Sequence, residues 1–214
     1  MAVRTRLSVP ERRGRLIALG EELFSERPFD EISIDDIAAR AGISKGLLYH
    51  YFGSKRDFYV EVVRAGVQRL RDVTAVPASV PEPARTLRSL DAYLAYVDEH
   101  AAGYLRLMGS GGGADPEVAG IIDGMRREFA GRVLEGLRRT GTEWGPDQAP
   151  PLLRAAVRGW VGMVEGASVD WVAHRDVPRA ELARFLLRAL TSTVVDAMAD
   201  HHEAPPAPGA PGGD

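Results

Sequence analysis

The chain has 214 residues, 45% of them hydrophobic and 27% charged, with a formal net charge of -3 and no cysteine. That composition belongs to a packed globular protein with a sizeable core, and it excludes disulfides, thiol nucleophiles and cysteine-ligated zinc together. No stretch of about 18 apolar residues is present to span a bilayer, and MAVRTRLSVPERRGR has no apolar segment after its arginines, so neither a signal peptide nor a membrane partner is expected and the chain is read as cytoplasmic.

The average charge hides a split. Residues 1 to 72 carry 13 Lys+Arg against 11 Asp+Glu, whereas the remainder carries 14 against 19. Arg4, Arg6, Arg12, Arg13 and Arg15 crowd the first 15 residues with Glu11 as the one acid. A basic arm on a near-neutral unit is the electrostatic footprint of a phosphate-contacting module, with a plain solvated terminus as the alternative.

Apolar residues recur at intervals of three and four and alternating β-branched runs are absent, so the expected class is all-α. Leu16, Leu19, Leu23 and Phe24 mark a first helix that ends near Arg27-Pro28. Ser33 reads as an N-cap with Asp36 at the third helical position, opening a short helix that stops at Gly42. Ser44 caps the next helix, and Ser54 with Asp57 caps a longer one carrying Phe58, Val62 and Ala65. Pro77, Pro81 and Pro83 break the chain between an N-terminal unit of roughly seventy residues and the rest. Beyond them, helices are expected around Leu87 to His100 and Tyr104 to Met108. Another is opened by Asp115 as N-cap with Pro116 in its first position. Leu153 to Trp171 and Pro178 to about Ala199 are the last two and the most apolar, and EAPPAPGAPGGD has no side chains able to build a core.

Two short helices joined by a tight turn, with Ala38 inside the first, Gly42 in the turn and Leu48 inside the second, have the spacing of a helix-turn-helix. Ala38 is small where the second helix crosses, and Gly42 can take a positive φ. With Leu48 inward, Ser44, Lys45, Gly46, Tyr49 and His50 fall on the outer face at the helix start, the end that enters a major groove. Phe52 is expected in the core, and Tyr51 is open between core and surface.

The block SIDDIAARAGISKGLLYHYFGSKRDFYVEVV closely resembles the DNA-binding signature of the TetR family of bacterial transcription repressors, over about residues 10 to 66. The resemblance implies that Ser33 and Lys55 anchor phosphates while Ser44, Lys45, Gly46, Tyr49 and His50 face the groove. Phe58 stands where the family usually has leucine. It further implies residues 1–72 as a DNA-binding domain with its connecting helix and 82–201 as an effector-binding and dimerisation bundle, while composition makes 202–214 a disordered tail. The implied partners are palindromic double-stranded operator DNA, a second copy of the chain, and a small apolar or amphipathic effector that releases the protein from its operator. A constitutive DNA-binding regulator without an effector is the alternative.

For the effector pocket the adaptable or bulky residues are Tyr93, Tyr96, Met108, Met125, Phe129, Trp160 and Met163. For a four-helix dimer seam the candidates are Val157, Val161, Leu182, Phe185 and Leu186, from the two most apolar helices. The effector is expected to displace the helix around Tyr104 to Met108 and so push the helix opened by Ser54, read as the only rigid connection to the reading head. Neither cofactor nor metal is expected: His100, His174, His201 and His202 form no i, i+4 pair beside a carboxylate, and the glycine run 111–113 reads as a loop. An enzyme is disfavoured by the absence of a cysteine, of a serine-histidine elbow and of paired carboxylates on an apolar face.

Overall fold

The computed structural model describes residues 8–111, 115–140 and 148–203, and those residues form helices joined by short connections, with no strand among them. In chain order they are α1 (Val9–Glu26), α2 (Ile34–Ala41), α3 (Lys45–Phe52), α4 (Lys55–Val73), α5 (Ala84–Glu99), α6 (Ala101–Arg106), α7 (Pro116–Arg139), α8 (Pro151–His174) and α9 (Arg179–Glu203). A 3-10 turn at Phe29–Glu31 precedes α2, and a π-helical turn at Leu107–Gly111 continues α6.

The expected helix starts rest on caps three residues long. Ser33 accepts the Asp36 N–H at 3.1 Å while Asp36 accepts the Ser33 N–H at 2.8 Å, a reciprocal box that satisfies donors at the start of α2. Those bonds from Ser33 hold the Asp36 carboxyl below the usual carboxylate range. Ser54 accepts the Asp57 N–H at the start of α4, and Asp115 accepts from Glu117 and Val118 ahead of Pro116. Gly42 closes α2 at φ +65°, and the bonds from Gly42 N–H to Ala39 O and from Ile43 N–H to Ala38 O turn the chain sharply into α3.

Two hydrophobic clusters result, and they divide along α4 rather than at the proline-rich segment 77–83. Phe58 and Val62 pack with Leu16, Leu23, Ile37 and Leu48 in the N-terminal cluster. Val60, Val63, Val67 and Leu70 lie in the second cluster, which α5, α7, α8 and α9 complete. One helix thus supplies both cores from two of its faces, and the proline segment only reverses the chain into α5. α9 runs through Glu203, so the first two residues of the tail expected from 202 are helical; residues 204–214, the arm arginines Arg4 and Arg6, and Gly112 and Gly113 of the glycine run lie outside the described residues.

Candidate nucleic-acid interface and effector cavity

The reading head is set by which face of α3 is covered. Leu48 and Phe52 are buried, and Phe52 meets Phe58 edge-on at 4.8 Å, which leaves Ser44, Lys45, Gly46, Tyr49 and His50 exposed together on the opposite face. Tyr49 is 47% exposed, a large amphipathic ring left at the surface. No other part of the described chain lies within 4 Å of where a Gly46 Cβ would stand, so packing among the described residues does not explain the missing side chain. Ser33 is exposed at the cap of α2 and Ser44 caps α3 by accepting the Leu47 N–H at 3.3 Å. Lys45 pairs with Asp35 across the turn at 2.6 Å, a surface pair of small stabilising value that orients the lysine. Tyr51 packs half-buried against the N-terminal cluster.

Lys55 requires a correction. Its ammonium donates to Phe29 O and Ile32 O, both at 2.9 Å, and lies 4.1 Å from the Phe29 ring centroid. The side chain turns inward to tie the 3-10 turn to α4, and two of its three donors are engaged there. Charged hydrogen bonds of this kind contribute more than neutral ones, so Lys55→Ala is expected to lower the unfolding free energy by about 2 kcal/mol in a urea titration. A change below about 0.5 kcal/mol together with weakened DNA binding would restore the phosphate role.

The expected effector residues separate into two spaces. Tyr93, Met125, Phe129 and Trp160 line a cavity of about 320 Å³ between α5, α7 and α8. Tyr96 and Met108 line a larger one of about 910 Å³ between α1, α4, α5 and α6, and Met125 borders both. Met163 belongs to neither: it is 38% exposed on the outside of α8, because Trp160, Val161 and Val164 already face the core. The inner end of the smaller cavity is fastened by a 2.6 Å hydrogen bond between the Tyr93 and Tyr104 hydroxyls. Burial pushes Tyr104 up to about 12, so this pair stays neutral.

Two connections that sequence reading missed run between the head and the rest of the molecule, so α4 is not the sole rigid one. Arg106, at the end of α6, donates to Ser25 O at 3.0 Å and Glu26 O at 2.9 Å, the last carbonyls of α1. Arg56 in the first turn of α4 forms a bidentate pair with Asp115, the cap of α7, at 2.6 and 2.9 Å. These partners are 80 and 59 residues away, beyond any local sequence signal.

Most of the residues expected at a dimer seam are covered by the chain itself. Val157, Val161, Leu182 and Leu186 are buried within the chain's own core, and the Trp160 indole donates to Leu186 O at 2.9 Å. An amphipathic helix has one strongly apolar face, and the core against α5 and α7 takes it. Of the expected set only Phe185 stays outside, 46% exposed. The outer side of α8 carries Gly159, Gly162 and Gly166, which fall within an arc of about 60° at 100° per residue. A Cβ at any of the three would meet nothing within 4 Å, and each interior glycine costs about 1 kcal/mol against alanine.

Comparison with known proteins gives the following relatives. Residues 16–62 match the family of bacterial regulatory proteins, tetR family, and residues 83–193 match the tetracyclin repressor-like, C-terminal domain. A tetR-family transcriptional regulator from Streptomyces coelicolor has a TM-score of 0.79 and 34% identity, covering 92% of this chain and 86% of that one. The HTH-type transcriptional activator FasR of Mycolicibacterium smegmatis is 30% identical over 119 residues, 55% of this chain and 54% of FasR. The HTH-type transcriptional repressor KstR2 of Mycobacterium tuberculosis is 39% identical over 69 residues, 30% of this chain and 34% of KstR2. The chain therefore spans about half of the first of these relatives and a third of the second.

Proposed function

The chain belongs to the TetR family of bacterial regulatory proteins, and from that premise we propose that it is a homodimeric, sequence-specific DNA-binding transcription regulator released from its operator by a small molecule. The observation that carries the DNA-binding reading is the exposed face of α3, where Ser44, Lys45, Gly46, Tyr49 and His50 stand clear of the core on a helix held by Leu48 and Phe52. Lys45 and the tips of Tyr49 and His50 suit phosphates and base edges, and Gly46 lets the backbone come close. Two such heads in a dimer read half-sites about 34–36 Å apart, and the matching operator is a palindrome. Release raises or lowers transcription according to where the operator lies relative to the promoter, and the relatives include both an activator and a repressor by name.

The seam of the dimer is the outer side of α8 and α9, supported by the glycine arc and by the exposed Phe185, Val195 and Met163. The 320 Å³ cavity supports an effector over a constitutive binder. A ligand there touches Met125 and, through the Tyr93–Tyr104 pair, α6, whose Arg106 grips the end of α1. Such coupling is typically about 1–3 kcal/mol and reciprocal, so operator DNA weakens ligand binding by the same factor.

The test is selection of bound duplexes from a random pool, followed by anisotropy titration at fixed salt. A palindrome is the expected product, and Tyr49→Ala and His50→Ala are each expected to weaken it about tenfold or more with melting unchanged. Failure to enrich any sequence, or equal affinity of both variants, would overturn the reading.

A further inference from the structure

We propose that the cavity between α5, α7 and α8 takes an amphipathic oxyanion, an apolar body ending in a carboxylate or a phosphate ester, and that Arg85 binds its head. This rests on the effector reading above and names the ligand's chemistry.

The lining changes character along its length. On α5 it passes from Arg85 and Ser89 to Leu90 and Tyr93, a distance of about 12 Å at 1.5 Å per residue. On α7 it passes from Arg132 through Phe129 to Met125, about 10 Å. Both helices therefore set the cations at one end and the apolar side chains at the other, and Trp160, Val161 and Val164 of α8 close the apolar end.

The charges at this cavity are satisfied within the chain, with one exception. Glu82 accepts from the Thr86 N–H at 3.2 Å and the Thr86 hydroxyl at 2.7 Å. Glu165 is held by Arg126 at 2.8 Å and contacts its Nε as well. Arg132 donates to Glu128 at 2.6 Å and to the Thr74 hydroxyl at 3.2 Å, and stacks near the Phe129 ring. Arg85 alone among these has no ion pair or side-chain hydrogen bond with any described residue, although it is half-buried. It also sits in the first turn of α5, where the helix dipole opposes a cation, and the nearby Glu82 carboxylate is engaged with Thr86 and not with Arg85. A guanidinium with its donors free beside an apolar chamber is matched to an oxyanion, which it can bind through two parallel bonds. Arg132, with its Nε unengaged, is the second cation within the same end.

Calorimetric titration of the full-length chain with octanoate, octyl phosphate, octanol and octylamine tests this, since the four probes share one apolar body and differ only in the head. At least one of the two anions is expected to bind about tenfold or more tightly than octanol, and which anion does so identifies the head. Arg85→Gln is expected to remove that preference, Arg85→Lys to keep much of it, and Arg85→Glu to transfer it to octylamine, with melting of the free variants unchanged. Equal binding of octanol and both anions, or an anion preference that survives Arg85→Gln, overturns the oxyanion assignment and leaves the cavity as an apolar effector site. Binding of none of the four overturns the assignment together with the effector reading of this cavity.

Discussion

Phe185→Glu is expected to yield a folded monomer that no longer binds its operator. Phe185 lies on the outer side of α9, 46% exposed, so the isolated chain has no use for its ring and loses little when it is replaced. In a two-fold seam the substitution appears twice and sets two unpaired carboxylates in a buried interface, at a cost of about 3–5 kcal/mol for each uncompensated charge. Leu186→Glu, one residue on, is expected to do something different. Leu186 is fully buried against Trp160 inside the chain, so that charge unfolds the C-terminal cluster. Sedimentation velocity with circular dichroism separates the two outcomes. An intact dimer of the Phe185 variant would take the seam off this face of α9, and a folded monomer of the Leu186 variant would mean that the chain's own core does not need Leu186.

Gly20→Val is expected to unfold the reading head. A Cβ at Gly20 would stand 2.5 Å from Val62 Cγ2 and 2.7 Å from Phe58 Cζ, both inside van der Waals contact. Neither neighbour can withdraw, because Phe58 and Val62 are buried in the N-terminal cluster with Leu23 and Phe24. Replacing a helical glycine gains at most about 1 kcal/mol in propensity, whereas overpacking of this kind costs about 3 kcal/mol. The steric term wins, and α1 must lift from α4. Gly14 in the same helix has open space around it, so Gly14→Ala is expected to stabilise the chain by a few tenths of a kcal/mol to about 1. Urea unfolding of the two variants checks the pair. A Gly20 variant as stable as the parent would mean that α1 and α4 do not cross closely.

These two cases bracket what could be read without coordinates. The helix starts at Ser33, Ser44, Ser54 and Asp115 were legible because a cap and its partner lie two or three residues apart. The exposed face of α3 followed from one inward residue, Leu48, and helical geometry. Lys55 was misread because its partners, Phe29 O and Ile32 O, are 26 and 23 residues away, and a lysine at a helix start gives no sign of which carbonyls will reach it. That the chain's own core covers Val157, Val161, Leu182 and Leu186 was hidden for a related reason. Apolarity selects the face that most needs covering, which is the face the chain's own core takes first, and the glycine side of α8 becomes meaningful only once that core is known.

By itself, then, the order of residues determined the helices, their caps and the helix-turn-helix with its outward side chains, since each depends on neighbours within about one turn of helix. Only the tertiary structure decided which apolar faces are covered, that Tyr96 and Met108 border a different space from Phe129 and Trp160, that Arg106 holds the end of α1, and that Arg85 is left without a partner among the described residues. Those outcomes depend on how helices distant in the chain compete for the same apolar surface and the same hydrogen-bonding groups, a competition that no local pattern records.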